Sequence, residues 1–267
     1  MSPPLVVLDS VTHLGTAGAR GRAVLCASHA GAYAALYAAR HGVSAVVLHD
    51  AGVGRERAGV SGLGALDALG VPCAAVSHRS ARIGDGAAML ASGVLSHANA
   101  AARALGVAEG MAAREALARL DSAALPPAPE PPALAEARRE VAPGVYALDS
   151  NGLVGADDAG RVVVTGSHGA LLGGRPDTAA KAPIRAGVYN DAGADAPDLT
   201  RLPALDARGV PALAVSCFSA RIGEGMSTWQ DGWVSAANDA ARALGCRVGD
   251  GCQAAVALIL RGTPPPP

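Results

Sequence analysis

Aromatic side chains make up only 3% of the chain, with one Phe, two Trp and four Tyr. A core without large rings has to be filled by Val, Leu and Ala, which brings helices close to a sheet. Few rings also leave little surface for nucleic-acid bases to stack on. With a net charge of −1 and no Lys/Arg-dense run, the electrostatic footprint of nucleic-acid binding is missing as well. No stretch approaches twenty apolar residues, so no segment reads as a membrane span. The opening Met1-Ser2-Pro3-Pro4, followed directly by Leu5-Val6-Val7-Leu8, lacks the basic region and long apolar core of a secretory signal. The expectation is a cytoplasmic protein with neither a nucleic-acid nor a membrane partner. Cys26, Cys73, Cys217, Cys246 and Cys252 show no Cys-x-x-Cys spacing and are odd in number, which points away from a zinc knuckle and from a disulfide framework.

What is present is an apolar share of 50% against 17% charged residues over 267 positions, the profile of a globular chain with room for two domains. An internal repeat divides it. Gly21 to His29 (GRAVLCASH) returns as Gly160 to His168 (GRVVVTGSH), an offset of 167 − 28 = 139 counted from Ser28 to Ser167. The same offset carries Leu66-Asp67-Ala68-Leu69-Gly70-Val71-Pro72 onto Leu205 to Pro211, and Ser80-Ala81-Arg82-Ile83-Gly84-Asp85-Gly86 onto Ser219 to Gly225. It also carries Ala101 to Gly106 onto Ala240 to Gly245, and a slip of two residues places His49-Asp50-Ala51-Gly52 on Asn190-Asp191-Ala192-Gly193.

Continuous apolar runs at Gly21–Ala27, Ser44–Leu48 and Val71–Val76 read as parallel strands covered on both faces. Helices fit Gly31–His41, Gly62–Leu69 and Gly86–Leu105, the last stopped by Gly106. The fold class expected is α/β: two tandem, pseudo-symmetric βαβ-type repeats, Rossmann-like, each with a mostly parallel sheet and right-handed crossovers. The boundaries read as 1–120 for the first repeat, 121–143 for a Pro-rich linker, 144–263 for the second repeat and 264–267 for a Pro tail. The stretch from Gly173 to Pro183, with two prolines and a basic cluster where the first half has a clean helix, reads as a loop or broken helix and a candidate lid.

Ligands of open α/β sheets sit beyond the carboxyl ends of the strands, and polar residues cluster there in both copies. Ser28-His29 and Ser167-His168 follow a strand and precede Gly31 or Gly169, where an imidazole can serve as general base; the structural alternative is a helix cap with a packed histidine. Asp50 and Asp191 end strands before Ala-Gly and suit a catalytic carboxylate, a ribose grip or an Asx-turn. Arg82 and Arg221, within Ser80 to Asp85 and Ser219 to Glu224, can clamp an anion bidentately, or pair with Asp85 and Glu224, which would cap the next helix. Ser96, Asn99, Ser235 and Asn238 rank second, within helical stretches. The halves differ where His49, His78 and His97 face Asn190, Cys217 and Ala236; the three histidines match no standard ligand spacing, and neither a metal nor a redox cofactor is expected.

The favoured reading is a small-molecule enzyme, hydrolase- or lyase-like. It would do acid–base chemistry with His29, Asp50, His168 and Asp191 on a small anionic metabolite held by Ser28, Ser80, Arg82, Asp85, Ser167, Ser219, Arg221 and Glu224, with the repeats lining one cleft about a pseudo-twofold axis. An oligomer is compatible with it. A nucleotide- or nicotinamide-binding protein is an alternative, although neither turn carries Gly-x-Gly-x-x-Gly, and a non-catalytic small-ligand binder is another. His168-Gly169 with Cys217, 217 − 168 = 49 residues on, resembles the His-Gly and Cys placement of caspase-like peptidases and implies a cysteine hydrolase. The Gln-Ala-Cys context of that family is missing, and a strand expected over Ile184–Tyr189 falls between the two residues.

Overall fold

In a computed structural model, residues 4–133, 135–193, 195–196 and 198–262 are described. The expected Pro tail at 264–267 lies outside them. The chain is an α/β protein of two tandem repeat-like units, the first comprising residues 1–53 and 57–134 and the second 54–56 and 135–267. Between them residues 124–133 form neither helix nor strand.

The first unit is a five-stranded sheet whose spatial order follows the sequence: β1 (Val6–Leu8), β2 (Ala23–His29), β3 (Ala45–His49), β4 (Cys73–Val76) and β5 (Leu95–Ala98). The first four are parallel and β5 runs antiparallel to β4. Alternation along β2 splits its side chains between two cores. Val24 and Cys26 join the layer of α1 (Ala32–Arg40) and α2 (Gly62–Asp67), while Ala23, Leu25 and Ala27 join that of α3 (Gly86–Ser92) and α5 (Ala113–Ser122). A strand covered on both faces has no polar side to present. Small residues set the packing distance: α1 buries Ala34, Ala35, Ala38 and Ala39, and a Cβ on Gly62 would collide with that of Ala35.

The expected helix Gly86–Leu105 is instead α3, the strand β5 and the short α4 (Ala100–Ala104). Gly93 turns extended (φ −63°, ψ 136°) and its amide closes on Met89. From there the chain returns along the edge of β4, and Ser96 becomes the extra residue of a bulge between the pairs Ala75↔His97 and Val76↔Leu95. Asn99, also expected within a helix, caps α4 by accepting from the Ala102 amide. Ser28-His29 and Ser167-His168 are the last two residues of their strands rather than the residues that follow them.

The second unit repeats the plan with one more strand: β6 (Arg138–Ala142), β7 (Val145–Leu148), β8 (Val162–His168), β9 (Ala186–Asn190), β10 (Ala212–Val215) and β11 (Val234–Ala237), in that spatial order. Helices α6 (Arg201–Asp206), α7 (Gly225–Asp231), α8 (Asp239–Ala243) and α9 (Cys252–Gly262) match α2 to α5. Among the described residues no α-helix stands in the place of α1. Pro176, Pro183 and the left-handed glycines Gly173 and Gly174 allow only two 3-10 turns, Leu172–Gly174 and Pro176–Ala179. Arg201 takes the place in the repeat of Gly62 (201 − 62 = 139). Only 2% exposed, it donates to the carbonyls of Ala170, Thr178 and Ala179 and lies 5.0 Å from the Tyr189 ring centroid.

Candidate functional site

The bulge at Ser96 has a chemical consequence, since bulges re-aim side chains. Asp50, 2% exposed, follows the last residue of β3, and the next residue, Ala51, is left-handed (φ 49°), a conformation that favours glycine. The turn aims the Asp50 carboxylate at the end of β4. Oδ1 accepts from the amides of Gly52 (3.0 Å) and His78 (2.9 Å) and from His78 Nδ1 (3.0 Å). Oδ2 accepts from Ser96 Oγ at 2.9 Å, and Ser96 Oγ lies 3.0 Å from His97 Nδ1. A carboxylate only accepts, so His78 carries its proton on Nδ1 and Nε2 is its basic nitrogen. Ser96 gives its single proton to the carboxylate, so His97 also donates through Nδ1. One buried carboxylate thus fixes two imidazoles in the same tautomer, the arrangement by which an acid orients a histidine base.

The second unit has the scaffold without the imidazoles. Asp191 is 3% exposed, Ala192 is again left-handed (φ 51°), and Asp191 Oδ1 accepts from the Cys217 amide at 2.9 Å. Cys217 and Ala236 stand where His78 and His97 do. Ser235, in the equivalent bulge of β11, has a buried hydroxyl without a hydrogen-bond partner. His168 and Cys217, which end β8 and follow β10, are separated by the intervening β9.

The strings shared by the two halves serve the fold in each. Ser28 and Ser167 accept the amides of Val11 (3.0 Å) and Asn151 (2.8 Å), tying down the segment after the first parallel strand. His29 Nδ1 accepts from Gly31 N (3.1 Å) and His168 Nδ1 from Ala170 N (3.3 Å). Burial and then the neighbouring His49 hold the His29 pKa down at about 4, so it is neutral near pH 7. Gly31 is required beside it, because a Cβ there would lie 2.6 Å from His29 Nδ1. Ser80 and Ser219 each donate to a carbonyl three residues back and accept from Val94 N or Trp233 N. Arg82 pairs with Asp85 (2.6 Å), which caps α3 through the Ala88 amide. Arg221 pairs with Glu224 (2.8 Å) and Glu56 (3.2 Å), and Glu224 makes no side-chain cap.

His49 has the same structural character. Its Nδ1 accepts from Ala51 N (3.1 Å) and its Nε2 faces Ala81 O (3.0 Å). Asn190 makes both bonds in the second unit, to Ala192 N (2.9 Å) and Ala220 O (3.1 Å). Among the described residues no three His, Cys, Asp or Glu side chains converge as a metal-holding group. No helix among them is long and apolar enough to cross a membrane. Compared with protein-family models, curated proteins and solved structures, the chain matches none.

Proposed function

We propose that the first unit carries out acid–base chemistry of the hydrolytic kind on a small cytoplasmic metabolite, with His78 as the base and Asp50 as the residue that orients it. The observation that supports this is the Asp50 carboxylate bonded to His78 Nδ1 at 3.0 Å and, through Ser96, linked to His97. A proton taken up at His78 Nε2 leaves an imidazolium beside the buried carboxylate, which stabilises it. Activation of a water by that nitrogen, followed by return of the proton to the leaving group, is the sequence such a pair performs. His97 would act as the second acid or base. Arg82, in the same unit, holds the Asp85 carboxylate, so an anionic group drawn to it competes with that pair.

A panel of small esters, lactones, amides and phosphate monoesters, tested with the full chain, examines this reading. Asp50→Asn and His78→Gln should each lower turnover by about 10²–10⁴-fold, while Asp191→Asn leaves it unchanged. Turnover unaffected by both first-unit variants would overturn the assignment, and ligand-induced thermal stabilisation without turnover would favour a binding protein.

A further inference from the structure

The missing helix of the second unit leaves a pocket. Its volume is about 440 Å³, walled by Ala182, Ile184, Leu205 and Val210, with Lys181 and Arg208 among its lining residues. It lies where the chain enters β9 and β10, at the opposite end of those strands from Asp191. In the first unit this face is one continuous core in which α1 and α2 pack together. In the second it is two small clusters, one around Tyr189, Leu202 and Leu205 and the other around Leu148, Val163 and Ile184; Ala180 and Val210 border both. The pocket follows that seam, and its size is that of a small-ligand site.

Its charges are one-sided. Lys181, the chain's single lysine, donates to Gly152 O at 3.1 Å, and Arg208 donates to Pro176 O at 2.5 Å. Arg201 gives its bonds to three carbonyls, so these three cations are held by neutral acceptors rather than by carboxylates. Partial burial and then the charge of Arg201 push the Lys181 pKa down, with Glu136 opposing. Positive charge beside an apolar wall, bonded to carbonyls and to no carboxylate, attracts an anion, and the wall itself gains from covering hydrocarbon.

We propose that this pocket binds a small carboxylate with an apolar body, its anionic group at Lys181 and Arg208 and its hydrocarbon against Ile184, Leu205 and Val210. The site is independent of Asp50 and stands whether or not the first unit is catalytic.

The single lysine provides the assay. Reductive ¹³C-methylation keeps its charge and yields one side-chain lysine signal to follow in the full chain. Titration with octanoate should shift that signal saturably below about 10 mM, while octanol and inorganic phosphate should not. Arg208→Gln should weaken octanoate binding by about tenfold or more. Absence of a saturable shift, equal binding of octanol, or equal binding of phosphate would each overturn the proposal. The ligand comparison on the unaltered protein decides the matter even if the variant misfolds.

Discussion

His49→Asn should leave the first unit nearly as stable as before, whereas His49→Ala should not. His49 is 1% exposed and binds the buried Ala51 amide and the Ala81 carbonyl. Truncation strands both groups. Leaving a buried donor unpaired costs about 1–3 kcal/mol, and loss of the second bond costs roughly 0.5–1.5 kcal/mol more. About 2–4 kcal/mol is therefore expected for His49→Ala, a small cavity included. Asn can restore both bonds, as Asn190 does between Ala192 N and Ala220 O, so His49→Asn should cost within about 1 kcal/mol for the lost ring volume. Two units make a single unfolding transition a poor measure, so the assay is native-state hydrogen exchange of β2 to β4 amides in the full chain. Each 1.4 kcal/mol appears there as about a tenfold faster exchange of the slowest amides. Equal destabilisation by Asn and Ala would refute the equivalence of the two stations, and with it the separation of His49 from the chemistry.

Ser235→Ala, which removes a buried hydroxyl without a partner, should be neutral or stabilise by up to about 1 kcal/mol, while Ser96→Ala, which strips a donor from Asp50, should cost about 1–2 kcal/mol in the same exchange experiment. Stability should also depend on pH through His29. Its folded pKa of about 4 lies below the ordinary 6.5, so below 6.5 the unfolded chain binds the extra proton and stability falls as the pH drops toward about 4. His29→Gln should flatten that slope in urea melts run across the interval. Gly31→Ala, whose Cβ would meet the His29 ring and the Ala58 carbonyl, should lower the melting temperature of the first unit, and a variant as stable as the parent would contradict the packing described.

The repeat, the α/β class and most parallel strands are legible in the sequence because a doubly covered strand must be apolar throughout, and Val24 to Ala27 and Val46 to Leu48 are. The expected helix over Gly86–Leu105 failed because its Ala-rich composition masks a break at Gly93, where tertiary pairing with β4 overrides propensity. That misplacement hid Ser96, whose hydroxyl meets Asp50 only through the β5 bulge. The candidate residues that the sequence offers are those shared by the two halves, and sharing marks what the fold needs twice: Ser28 and Ser167, Ser80 and Ser219, the Arg82–Asp85 and Arg221–Glu224 pairs. The signal that leads to the candidate chemistry was the asymmetry, His78 against Cys217 and His97 against Ala236. Bonding partners separate His49 from the other two, and a sequence does not carry them.

The proposed chemistry requires Asp50 to fix His78 and His97 as Nδ1–H tautomers. Long-range ¹H–¹⁵N correlation of the histidine rings in the full chain, at a pH where they are neutral, reads this directly. The structure predicts Nδ1–H for His78 and His97, and Nε2–H for His29, His49 and His168, whose Nδ1 atoms accept backbone amides. Asp50→Ala, which removes the acceptor of His78 Nδ1–H, should release His78 from that class. His78 found with its proton on Nε2, or a tautomer unchanged by Asp50→Ala, would contradict the role given to Asp50.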